Sequence, residues 1–172
     1  PLCRFPVLRD HARARDVPET SIIIEYLDQH YPGGQDLLPA DPEVALEVRL
    51  WDRFFDHYVQ EPMQAIVLAR LNDIQCDLTS ERTKLKTAYK MIEQRMATRQ
   101  WISGAEFSLA DCAAAPALFY AATVLPFPEE YDALSGYFER LLARPSVQRV
   151  LEEAKPYFQL YPFYDDIPER FL

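Results

Sequence analysis

Apolar residues recur at intervals of three and four along most of this chain, and the breaks in that rhythm mark its elements. From Asp41-Pro42 onward the pattern is helical almost throughout. Asp41 is placed to cap, Pro42 suits a first helical position, and Val44, Val48, Trp51, Phe55 and Tyr58 follow the helical rhythm. Pro62 should kink or interrupt this helix, because proline removes a backbone donor. A second helix is predicted to begin near Ser80, with Leu85, Ala88, Tyr89, Ile92 and Met96 on its apolar side. A third, from Ser108 through Ala122, is apolar nearly all round and belongs at the centre of the fold. Two more are expected over 129–143 and 146–154, separated by Arg144-Pro145. The tail from Pro156, rich in Tyr, Phe and Pro, reads as an irregular packed extension.

The first 32 residues follow a different pattern. Residues 5–16 suggest a short strand, a polar turn and a second alternating strand. Thr20 or Ser21 then caps a helix carrying Ile23, Tyr26 and Leu27, which Pro32-Gly33-Gly34 ends. Residues 33–40 read as a linker. Within Ser108-Leu109-Ala110-Asp111, Ser108 at the N-cap can accept the amide at N3 while Asp111 reaches back to the cap amide, a capping-box variant. Asp111 is therefore read as a structural carboxylate rather than a general base.

Composition narrows the function. The 172 residues carry 18 Lys plus Arg against 27 Asp plus Glu, a net charge of −9, which argues against a phosphate-backbone partner. Residues 1–32 hold four Arg and five acids, so the arginines of the hairpin form no anion patch. Four glycines, none in a phosphate-loop motif, leave little room for a Gly-rich phosphate loop. Cys3, Cys76 and Cys112 are scattered and odd in number, which suits a reducing, cytoplasmic setting better than a disulfide framework. His11, His30 and His57 lack ligand spacing, so no metal is expected. No apolar run approaches the ~20 residues of a membrane span, and none is expected.

Five segments taken together resemble a cytosolic glutathione transferase of bacterial type. Phe5-Pro6-Val7-Leu8 is similar to the family's segment in which a cis-proline opens the third strand of a thioredoxin-like domain. Glu19-Thr20-Ser21 through Tyr26-Leu27 resembles its E-S-x-x-I-x-x-Y-L helix start, and Leu37 to Pro42 its linker into the helical domain. Trp101 to Gly104 with Phe107 to Asp111 is similar to the family's capping box and staple, and Arg144-Pro145-Ser146-Val147 to its late turn. The resemblance implies a mainly α fold: the partial β-β-α end of a thioredoxin-like domain over 1–32, a linker over 33–40, and an all-helical C-terminal domain over 41–172.

The same resemblance implies roles for four residues. Phe5, just before the cis-proline Pro6, would offer its main-chain groups to the cysteinyl backbone of glutathione, the co-substrate. Thr20 would donate its hydroxyl and amide to the γ-glutamyl α-carboxylate, while Glu19 would pair with the amino group. The alternative for Thr20 is that it merely caps its own helix. The family's thiol-activating Ser, Tyr or Cys lies upstream of the cis-proline, and only five residues precede Pro6 here. Cys3 is in the wrong place, so the catalytic residue stays unassigned, and residues upstream of Pro1 are expected in the whole protein.

Two functions follow from the resemblance. One is a homodimeric glutathione transferase acting on a hydrophobic, electrophilic small molecule, with Trp51, Phe55, Tyr58 and Leu118 as candidates for the pocket wall, although aromatics at helical spacing are more often core. The other is a non-catalytic transferase-like binding or scaffold protein. A plain helical interaction bundle is a third, weaker reading that leaves the order of the five motifs unexplained.

Overall fold

A computed structural model describes residues 5–172; Cys3 lies outside the described residues. The chain runs β1 (Val7–Asp10), β2 (Arg15–Pro18), α1 (Thr20–His30), α2 (Pro42–Phe54), a π-helical stretch (Phe55–Gln60), α3 (Glu61–Leu71), α4 (Thr79–Met96), α5 (Leu109–Val124), α6 (Asp132–Leu142) and α7 (Pro145–Ala154). Three 3-10 turns form the tail, at Lys155–Leu160, Tyr164–Asp166 and Glu169–Phe171. The fold is mainly α, as the periodicity predicts.

β1 and β2 pair antiparallel, from Val7 opposite Pro18 to Asp10 opposite Arg15. The second strand lies later than expected, because the basic stretch around Ala12-Arg13-Ala14 forms the turn, with Ala14 in a left-handed conformation. A hairpin this short is marginal alone and must be held by other elements. Asp10 does this. Its buried carboxylate accepts from the Tyr26 and Tyr31 hydroxyls, each at 2.7 Å, and from the Arg13 amide at 3.0 Å. The hairpin is thereby fastened to the far end of α1. Leu27, expected on the apolar face, is exposed instead, because Tyr26 and Ser21 are the buried positions of α1.

α2 starts as predicted, with Asp41 Oδ1 accepting from the Glu43 and Val44 amides and Pro42 in the first turn. Pro62 interrupts the long helix in a particular way. Without an amide donor there, the preceding turn widens into the π stretch, and α3 resumes at Glu61. Val48 and Phe55 are fully buried, whereas Val44 and Tyr58 are exposed at 41% and 57%. The stripe is thus narrower than the sequence suggested: the widened turn rotates the face after residue 54, which turns Tyr58 outward, while Val44 lies in the first turn of α2, ahead of it.

α4 buries all five of its predicted apolar residues. α5 lies at the centre, against α2, the π stretch, α3 and α6. Its N-terminus is closed by the capping box: Asp111 Oδ2 accepts from the Ser108 amide and hydroxyl, both at 2.9 Å. Asp111 Oδ1 accepts from the Ile102 amide at 3.1 Å and from the Tyr137 hydroxyl at 2.6 Å. Burial pushes this carboxyl upward, against the pull of those four bonds. The linker is stitched to the same helix end: Leu109 donates to the Leu37 carbonyl at 2.9 Å, and Gln35 to the Phe107 carbonyl at 2.9 Å.

The tail packs on the bundle. Phe158 stacks on Phe119 with ring centroids 5.7 Å apart, and the Tyr161 and Thr123 hydroxyls are 2.8 Å apart. Arg170 pairs with Glu139 of α6, and Arg70 lies over the Phe163 ring at 4.3 Å.

Candidate functional site

The pairing of Val7 with Pro18 brings Pro6 and Glu19, the flanking residues, to one open end of the hairpin. The four residues that the sequence singled out therefore collect there. The Phe5–Pro6 bond is cis, and the Phe5 side chain is 94% exposed. Glu19 is the N-cap of α1, with φ 69° and no capping bond from its side chain. The expectation that Thr20 or Ser21 caps is corrected: Thr20 is already helical, and its hydroxyl makes no hydrogen bond to another described residue. The first intrahelical bond runs from the Ile23 amide to the Glu19 carbonyl at 2.8 Å, which leaves the Thr20, Ser21 and Ile22 amides without helical partners. An exposed helix start with amides that lack helical partners is chemically suited to receive a carboxylate.

Ser21 has a different task. Its hydroxyl donates to Asp52 Oδ1 at 2.9 Å and accepts from Arg53 Nη2 at 2.7 Å. Arg53 also holds Asp52 Oδ2 through Nη2 at 2.8 Å and Nε at 3.2 Å, and pairs with Asp56 at 3.0 Å. Asp52 is 3% exposed while Arg53 is about half exposed, so α1 and α2 are joined by a partly buried charge network at the end of α1 that carries Glu19 and Thr20. Burial raises the Asp56 carboxyl, and the hydrogen bonds from Arg53 to Asp52 raise the guanidinium. The sequence reading missed Ser21, Asp52, Arg53 and Asp56. One signal was available: Asp52 falls between Val48 and Phe55 on the apolar stripe of α2, where an acid needs a partner.

An apolar cleft of about 470 Å³ lies between α5 and α7. Leu37, Phe107, Pro116, Phe119 and Leu151 line it, and Phe158 of the tail borders it. Of the aromatic and apolar candidates for a pocket wall, Phe55 and Leu118 are wholly buried core, Trp51 is half-buried beneath Arg95, and Tyr58 stands exposed against Phe54; none of the four lines this cleft. Cys112 lines it, and burial pushes its thiol up to about 12, so it is no nucleophile at neutral pH. Among the described residues, no group of three or more His, Cys, Asp or Glu is arranged to hold a metal, and no helix is long and apolar enough to cross a membrane.

This architecture, with a β-β-α start leading into a bundle built round a capped central helix, is assigned to a family by comparison. A model of the glutathione S-transferase C-terminal domain matches residues 44–140, more than half of the chain. The chain belongs to the glutathione S-transferase family. It is 32% identical over 108 residues to a glutathione S-transferase-like protein, LUC7, of a Fusarium species, covering 61% of this chain and 49% of that one. It is 29% identical over 174 residues to FtsZ-localized protein A of Caulobacter vibrioides, covering 94% and 76%. A glutathione S-transferase of Methylobacterium radiotolerans, solved with glutathione sulfonate, superposes with a TM-score of 0.71 at 26% identity, over 85% of this chain and 71% of that one. The chain thus spans about half the length of the Fusarium relative.

Proposed function

We propose that this protein binds glutathione at the open end of the hairpin and transfers it to a hydrophobic, electrophilic small molecule. The observation that carries this reading is the strand register, which sets Phe5 and Pro6 at the same end of the hairpin as the uncapped first turn of α1. Main-chain groups of Phe5 would pair with the cysteinyl backbone. The Thr20 hydroxyl and the first-turn amides would take the γ-glutamyl α-carboxylate, and Glu19 its amino group. Transfer requires the glutathione thiol to lose its proton and the thiolate to attack the electrophile, displacing its leaving group. The donor that steadies that thiolate is not assigned to any residue of this chain. Residues 1–32 act in this reading as part of a thioredoxin-like domain, 33–40 as a linker and 41–172 as the helical domain. A cytoplasmic homodimer is part of the same reading, and the exposed Leu46 and Leu50 on α2, with Met91 on α4, support the dimer.

A second reading is a non-catalytic binding or scaffold protein. It is favoured by the 29% identity to FtsZ-localized protein A over nearly the whole chain. Incubating the protein with glutathione and an activated aryl chloride separates the two. Conjugate formation above the uncatalysed rate supports transfer; glutathione binding without turnover supports the second reading.

A further inference from the structure

Phe5 keeps its ring in solvent, with 94% of the residue exposed, whereas the other phenylalanines of the chain are buried or half-buried. Val7, two residues on, and Ile22, in the first turn of α1, are exposed as well, at 53% and 52%. Strand register and chain order bring these three to the end of the hairpin that carries Thr20. Apolar surface gathered beside a polar ligand seat marks a place where an apolar group is received.

The main chain of Phe5 determines which group the ring would meet. In the glutathione reading, its N–H and C=O pair with the cysteinyl residue of the ligand, and neither is bonded to another described residue. Two residues that exchange main-chain hydrogen bonds in an antiparallel manner stand directly opposite each other. Their side chains then share one face, with Cβ atoms about 4.5–5.5 Å apart. On that geometry the Phe5 ring lies beside the cysteinyl thiol, within reach of whatever group is joined to its sulfur.

We propose that Phe5 is a specificity-determining residue: its ring forms a wall beside the ligand's sulfur and favours a flat aromatic group there over an aliphatic chain. This role rests on the glutathione reading above. A phenyl ring has few torsions to fix, and aromatic pairs gain from offset or edge-on contact beyond the area they bury.

The test uses the full chain and three probes: glutathione, S-benzylglutathione, and S-hexylglutathione, in which an aliphatic chain replaces the aromatic group. Calorimetry compares wild type with Phe5→Val, which removes the ring and keeps the main chain, and with Phe5→Tyr, which keeps the ring. Phe5→Val should weaken the benzyl conjugate about tenfold, the hexyl conjugate about twofold and glutathione less than about twofold. Phe5→Tyr should hold all three probes near their wild-type affinities. Equal losses for the two conjugates, no loss for either, or a wild type that binds glutathione but neither conjugate, overturn the specificity role while leaving glutathione binding intact. Failure of wild type to bind any probe overturns the glutathione reading, and this role with it.

Discussion

Asp10 and Asp111 show how two buried carboxylates end with opposite tendencies. Asp10, at the end of β1, is held at about 2 chiefly by the Tyr26 hydroxyl, then by Tyr31, against a weaker desolvation. Unfolded aspartate titrates near about 3.9, so the folded form resists protonation. The stabilisation it gives is therefore complete above about pH 4 and is lost as the pH falls through about 2. Urea midpoints of wild type and Asp10→Asn should differ clearly at pH 5 and converge near pH 2; a gap that stays constant would contradict this. Asp111 is pushed the other way, because burial outweighs its four hydrogen bonds. Ser108→Ala removes the cap hydroxyl, one of the four donors to Asp111, leaves the Ser108 amide in place, and should cost about 1 kcal/mol or somewhat more. An unchanged melting temperature would show the cap to be dispensable. Asp111's role was legible from four letters of sequence because a capping box is local. Asp10's was not, since its partners lie 16 and 21 residues away.

At the level of elements, the helices that carry strict periodicity were legible and the widened turn was not. α4 buries the five residues predicted for it, because nothing interrupts its ladder of hydrogen bonds. Ahead of Pro62 the π stretch changes the phase, so Tyr58 turns outward although it keeps the spacing of Phe55. The core side of that stretch is well filled: Phe55 is wholly buried and packs edge-on to Phe54, with centroids 5.8 Å apart. Phe55→Ala should destabilise the protein by about 3–5 kcal/mol, whereas Tyr58→Ala should change stability by about 0.5 kcal/mol or less. Comparable losses in chemical denaturation would mean that the π stretch is not where the face changes. The hairpin was recognisable only in outline, since four-residue strands carry too little alternation to set a register.

For the whole molecule, the order of motifs along the chain told more than any one of them. Cis-proline, helix start, linker, capping box and late turn are each common, yet their succession resembles one family, and the family model's match over residues 44–140 takes in the capping box. The Ser21–Asp52–Arg53 network that joins the two ends of this arrangement was hidden, because its members lie 31 and 32 residues apart. As a homodimer, the protein should sediment at twice the chain mass, and Leu46→Glu with Leu50→Glu should shift it to monomer; a wild-type monomer at every concentration would remove the dimer from the proposal. The central claim is that the uncapped start of α1 is a seat for glutathione. Thr20 is exposed and makes no hydrogen bond to another described residue, so Thr20→Ala should leave the fold undisturbed and remove only the hydroxyl proposed to donate to the ligand. The direct measurement is calorimetric titration of glutathione into the wild-type chain and Thr20→Ala. The account predicts binding to wild type and about a tenfold loss in the variant; equal affinities, or no binding to wild type, would contradict it.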